Sequence, residues 1–270
     1  MKKRQQLVLV VASAGLLLAG CGGSESATTD KSETKVAKST SADLTTDTLI
    51  PAIFKAQQKA KTSHMSMLLE LSGQKIKAEG DVVIGASAAD SKVSMKMDMA
   101  AMGAGTVEMR FVDKVFYMNL GPLSDNKFAK IDTTDKNNPL GAQFGDLLDQ
   151  MDPTTQLQQM SDAVTDARKK GDPITLDGVK AQPYQLRVDT TKLDSLKKLP
   201  EASKAQLPKT LTYTMYIGPD NLIRRLVTDV VGTKATTEYS KWGKSVDIQA
   251  PTKDQITDSD FMDKLGTVPS

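Results

Sequence analysis

The chain has 270 residues, with 35 Lys and Arg against 33 Asp and Glu and a formal charge of +2. One histidine, one cysteine and an aromatic content of 4% leave little material for a disulfide, a histidine-rich metal centre or platforms that stack on nucleic-acid bases.

The first residues change the meaning of that charge. Lys2, Lys3 and Arg4 precede an apolar run from Leu7 to Ala19, broken only by Ser13 and Gly15. The run of about 13 residues is shorter than the roughly 20 needed to span a bilayer as a helix. A basic start, a short apolar segment and a small-residue exit predict a secretory signal peptide over residues 1–20. Its exit, Leu18-Ala19-Gly20-Cys21, resembles the bacterial lipobox. That resemblance implies cleavage between Gly20 and Cys21 and a diacylglyceryl group on the Cys21 sulfur, which makes the membrane a partner through the acylated cysteine. Two or three acyl chains anchor far better than one, at about 0.8 kcal/mol per buried CH₂. Without Lys2, Lys3 and Arg4 the mature chain carries 32 basic and 33 acidic residues, a net charge of −1, so no nucleic-acid partner is expected.

Residues 21–43 begin at the acylated N-terminus and are mostly Gly, Ser, Thr, Lys, Glu and Ala, a composition expected to form a disordered tether. A flexible coil of that length spans roughly 25 Å on average. Residues 44–270 are expected to form one domain. A helix is predicted over 48–62, capped by Asp47, with Leu49, Ile53, Ala56, Gln57 and Ala60 along one side and Pro51 in its first turn. Period-2 patterns come next. In HMSMLLELS, Met65, Met67, Leu69 and Leu71 oppose Ser66 and Glu70; in KVSMKMDMA, Val93, Met95, Met97 and Met99 oppose Ser94, Lys96 and Asp98. In TVEMRF, Val107, Met109 and Phe111 oppose Glu108 and Arg110, and Asp113-Lys114 turns the chain into VFYMNL. Helices are predicted near 143–150 and from Asp152-Pro153 to about 167. Strands resume near 174–176 and 181–188, a helical piece covers 191–199, and LTYTMYIG, NLIRRLVTDVV and TKATTEYSKWG read as three further strands. Gly218-Pro219-Asp220-Asn221 is a turn by composition. The order predicts an α+β fold, a large curved antiparallel sheet with helices on one face.

No catalytic constellation assembles from these residues: there is no Gly-x-Ser-x-Gly elbow, no glycine-rich phosphate loop and no histidine-based metal spacing. His64 is expected at the boundary between the first helix and the first strand. Methionine is the unusual component, because thioethers two apart on a strand share a face. Three readings stand side by side. The methionines fill core; or they line an adaptable apolar cavity; or Met-x-Met beside His64 offers soft donors to Cu(I).

The lipobox and tether, together with FVDKVFYMNLGPLSDNKFAKID, LDGVKAQPYQLRVDTTKL, LPKTLTYTMYIGPDNLIRRLV and YSKWGKSVDIQAP, resemble the actinobacterial lipoproteins of the LppX/LprG type over residues 44–251. The resemblance implies a fold similar to the LolA and LolB carriers, a curved antiparallel half-barrel sheet with helices covering its concave face. It implies a hydrophobic cavity between sheet and helices, with lipids or acylated glycolipids as cargo, an envelope transport partner, and no shared catalytic motif. The expected product is a monomeric protein anchored on the extracytoplasmic face of the cell membrane, not an enzyme and without a cofactor. A sensor or scaffold module without a cavity is the alternative. The candidate cavity residues are Met65, Met67, Leu69, Val93, Met95, Met97, Met99, Val107, Met109, Phe111, Met215 and Ile217.

Overall fold

A computed structural model describes residues 44–257, apart from positions 72, 101–104, 136, 138–140, 142, 143, 146, 147, 149–152, 198–203, 205, 206, 231 and 232. The signal peptide, the lipobox with Gly20 and Cys21, and the tether lie outside the described residues.

Helix α1 (Thr46–Ala60) begins two residues before its expected start, because Thr45 and Thr48 form a capping box in which the Thr45 N–H donates to Thr48 Oγ1 at 2.9 Å. Asp47, the expected cap, sits in the first turn instead, where its charge favours the helix dipole. Pro51 therefore falls in the second turn, on the exposed side, and its missing N–H leaves the Asp47 carbonyl without an intrahelical partner. Lys61 ends the helix in the left-handed region, its N–H donating to Gln57 O at 2.9 Å. Leu49, Ile50 and Ile53 are at most 1% exposed. Burying each stabilises the docked helix by about 1.5–3 kcal/mol.

The strands are β1 (Thr62–Leu71), β2 (Gln74–Val83), β3 (Lys92–Asp98), β4 (Thr106–Val112), β5 (Val115–Asn119), β6 (Phe128–Asp132), β7 (Val164–Lys169), β8 (Ile174–Leu176), β9 (Val179–Asp189), β10 (Thr210–Ile217), β11 (Ile223–Val230) and β12 (Thr233–Ser240). They form one open antiparallel sheet in the order β6-β5-β4-β3-β2-β1-β12-β11-β10-β9-β7, with β8 paired to β9 alone. The chain starts in the middle, steps outward to β6, crosses to the opposite edge at β7, and steps back until β12 pairs with β1. The fold class is the expected one, an open antiparallel sheet with helices packed on one face.

The crossover carries helix α2 (Pro153–Ala163), which lies against α1. It ends at Ala163, four residues short of the expected limit, and β7 begins at once. Pairing with β9 fixes Val164–Lys169 as a strand, and the β-branched Val164 and Thr165 fit it. In the expected helix near 143–150, Phe144, Gly145 and Leu148 are helical, as is Gly141 just before it, and the rest lies outside the described residues. The piece expected at 191–199 is a 3₁₀ turn, Thr190–Lys192, followed by the short helix α3 (Asp194–Lys197), with 198 and 199 outside the described residues. Strands β2 and β6 are not among the expected elements. In β2 the core-facing positions include Ala78 and Gly80, too small to register as an apolar alternation.

Apolar residues cluster on both faces. On the inner face α1 and α2 cover a core of Tyr184, Leu186, Val188, Leu211, Tyr213, Met215, Ile217, Ile223, Leu226 and Tyr239. Val82, Ile84, Val93 and Phe111 form a second cluster with Phe116, Leu148 and Trp242. On the outer face the C-terminal segment lays Val246, Ile248 and Ile256 over Val112, Tyr117 and Phe128. Both sheet edges are capped. The Ala167 N–H of β7 donates to Thr46 Oγ1 at 3.0 Å, and the Thr257 N–H donates to the Phe128 carbonyl of β6 at 2.9 Å.

This packing can be probed at two positions. A β-carbon at Gly80 would run into the Ser94 carbonyl oxygen and lie 2.9 Å from Met95 Cα, so Gly80→Ala is expected to cost about 1–3 kcal/mol in urea unfolding. Burial pushes the Tyr239 hydroxyl up from 10.0 to about 12. Its folded-state pKa is raised, so the neutral phenol's contribution is complete below pH ~10 and is lost as pH rises to ~12, at about 1.4 kcal/mol per pH unit. Tyr239→Phe is expected to remove that slope from the alkaline limb of a stability–pH profile.

Candidate functional site

Strand register builds the site. Across the inner face one row runs Tyr184, Met215, Leu226, Thr237, Met67, Ala78, Met97 and Val107, one residue from each of β9, β10, β11, β12, β1, β2, β3 and β4. With strands about 4.8 Å apart, the row is roughly 34 Å long. The adjacent row runs Tyr239, Met65, Gly80, Met95, Met109, Met118 and Ala129. Leu69 pairs with Ala235 and Ile76 on the other side of Met67, and Val93 pairs with Phe111 beyond Met95. The candidate cavity residues on strands therefore share one continuous face. Met99 lies just past β3 and extends the hairpin, its N–H donating to Gly105 O at 2.8 Å.

Sharing a face does not give these residues one environment. Met215, Ile217, Val93 and Phe111 are buried in the two inner clusters. Met65, Met67, Leu69, Met95, Met97, Met99, Val107 and Met109 are half-buried, as is Met118. The helices pack most fully against the C-terminal half of the sheet, and the methionine-rich half is the less covered part of the same surface.

Between α2 and the C-terminal half lies a crevice lined by Met160, Leu186, Val188, Leu193, Tyr213, Met215 and Leu226. Its cavity volume is about 20 Å³. The closed space thus holds about one water. Its roof is tied down at two points. Lys192 Nζ donates to the Asp162 carbonyl at the end of α2 at 2.9 Å, and Gln159 Nε2 donates to Asp194 Oδ2 at 2.7 Å. The turn between these partners is set by Asp189, whose Oδ1 accepts from Thr191 Oγ1 at 2.7 Å and from the Thr191 N–H at 3.0 Å, bonds that hold its carboxyl below the usual range. Polar groups on this part of the face are few. Burial pushes the Tyr213 hydroxyl up. Its cross-strand neighbour Thr228 has a buried Oγ1 with no hydrogen-bond partner, a group whose desolvation costs about 1–3 kcal/mol when unmet.

Of the crevice residues only Met215 is among the candidates named from the sequence. The alternation of Leu186 with Val188 and of Tyr213 with Met215 is visible in the sequence, whereas the seating of Met160 over them depends on the crossover. His64 lies just past the handover from α1 to β1, as expected, but not on the methionine face. It is the third residue of β1 and faces the opposite way, with Nδ1 2.8 Å from Asp81 Oδ1 on the neighbouring strand. A mixed Met–His donor set on the inner face is therefore excluded by strand alternation. Among the described residues no group of three or more His, Cys, Asp or Glu is placed to hold a metal ion.

No family model and no curated protein matches the chain. Solved structures do. The lipoprotein LppX of Mycobacterium tuberculosis aligns at 15% identity over 76% of this chain and 98% of its own, with a TM-score of 0.46. LprF from Mycobacterium bovis aligns at 16% identity over 76% and 96%, also at 0.46. MucB in complex with MucA(peri) aligns at 12% identity over 79% and 59%, at 0.34.

Proposed function

We propose that this protein is a membrane-anchored extracytoplasmic lipoprotein that takes an apolar ligand, a lipid or lipidated molecule, between sheet and helices and carries or presents it without chemical turnover. The observation that supports this most is the continuity of the α2 crevice with the half-buried methionine-rich face along one row of the sheet. Methionine adapts to irregular apolar partners, and a continuous apolar floor suits an acyl chain. In the closed form the crevice is too small for such a ligand. Entry requires α2 and the 189–197 segment to lift together, since Lys192 and Gln159 tie them to each other. The acyl anchor on Cys21 and the tether over 21–43 would keep the domain within reach of the bilayer.

The test is native mass spectrometry and lipid extraction of the full chain expressed in its own host. Lipid is expected to copurify, and a fluorescent hydrophobic probe is expected to bind saturably. Met160→Trp, which fills the roof of the crevice, is expected to lower bound lipid at least fivefold while the Tm stays within a few degrees. Absence of both lipid and a saturable probe site would sink the carrier reading and leave the scaffold alternative.

A further inference from the structure

We propose that Met95, Met109 and Met118 form a thioether site for a soft monovalent cation, Cu(I). The three are direct cross-strand partners on β3, β4 and β5. Side chains so opposed have their Cβ atoms about 4.5–5.5 Å apart, and the three rotatable bonds of each methionine let the sulfurs converge on one point. Met65 stands in the same row across Gly80, which has no side chain to fill the interval, and Met97 is two residues along β3 from Met95. Either can approach as a fourth donor.

The composition of the face argues that the sulfur matters. On the same face of the same sheet, β9, β10 and β11 fill their inward positions with Leu186, Val188, Leu211, Ile217, Ile223 and Leu226, and Met215 is the one inward methionine among those three strands. Strands β1, β3, β4 and β5 place Met65, Met67, Met95, Met97, Met109 and Met118 at equivalent positions. Methionine is not a favoured strand former, and leucine would pack equally well. The row is half-buried, so its side chains keep partial contact with solvent. The aromatic pair Phe111–Phe116, 4.6 Å between ring centroids, flanks it and offers a favourable setting for a cation. Thioether donors select Cu(I). They carry no proton in the working pH range, so metal binding releases none, in contrast to histidine or thiolate sites. The only histidine, His64, lies on the opposite face.

The experiment is anaerobic competition of the full chain, purified in detergent, against a chromophoric Cu(I) chelator, repeated with Ag(I) as an air-stable probe. One equivalent is expected to bind, with an affinity constant within threefold between pH 5.5 and 8. Met109→Leu is expected to weaken binding at least tenfold, and the triple Met95→Leu, Met109→Leu, Met118→Leu variant to abolish it, while Met215→Leu leaves the copper affinity within twofold of the wild type. X-ray absorption of the copper-loaded wild type is expected to give a sulfur-only shell, a result that holds whether or not the triple variant folds. No binding by the wild type, undiminished binding by a folded triple variant, affinity falling more than threefold between pH 8 and 5.5, or nitrogen or oxygen in the shell would each overturn the proposal. None of these readouts depends on whether lipid copurifies.

Discussion

The antiparallel pairing of β1 with β12 is the contact on which the rest depends. Each half of the sheet is a meander that local hairpins can build. Only the ladder from His64↔Ser240 to Leu71↔Thr233 makes them one surface. It also sets the phase. A slip of one residue would turn Met65, Met67 and Leu69 to the outer face and bring His64 and Glu70 inward. The inner row that links the α2 crevice to the methionines exists because the two halves meet in this register. The partners are separated by nearly the whole folded chain, so this closure carries the loop entropy of the fold.

The two halves then use the same geometry differently. Over β9–β12 the helices supply the second layer, and branched and aromatic side chains fill the space to near exclusion of solvent. Over β1–β5 six inward methionines at intermediate exposure lie among smaller or branched residues, of which Ile76, Ala78, Val82 and Val93 are buried. A well-packed region thus adjoins a softer, partly wetted one on the same face.

Much of this is legible in the sequence. The alternation in HMSMLLELS, KVSMKMDMA and TVEMRF assigns the inward residues of three strands correctly, since period 2 is a property of the backbone and needs no tertiary information. The Asp113-Lys114 turn is equally local, and both residues take positive φ, at 51° and 65°. The features that cannot be read are set by distant contacts. Val164–Lys169 continues a helical pattern and is a strand because β9 is free to pair with it. Ala78 and Gly80 on β2 face inward but are too small to look apolar. The crevice residues Met160 and Leu193 belong to the crossover and to the turn after β9, and no spacing rule brings them over Leu186 and Tyr213. The continuous face is visible strand by strand, whereas its division into filled and half-open parts is not.

An open sheet has two unpaired edges, and each is a template on which another strand can grow. Here both are occupied by the chain itself. The first turn of α1 closes one through Thr46, and the C-terminal segment closes the other at Phe128. The two ends of the folded chain thus act as opposite stoppers on one ribbon. Proteins tethered to a common surface meet one another far more often than freely dissolved ones do. Under the proposed anchoring, a domain of this topology can crowd against its copies without zipping into them edge to edge.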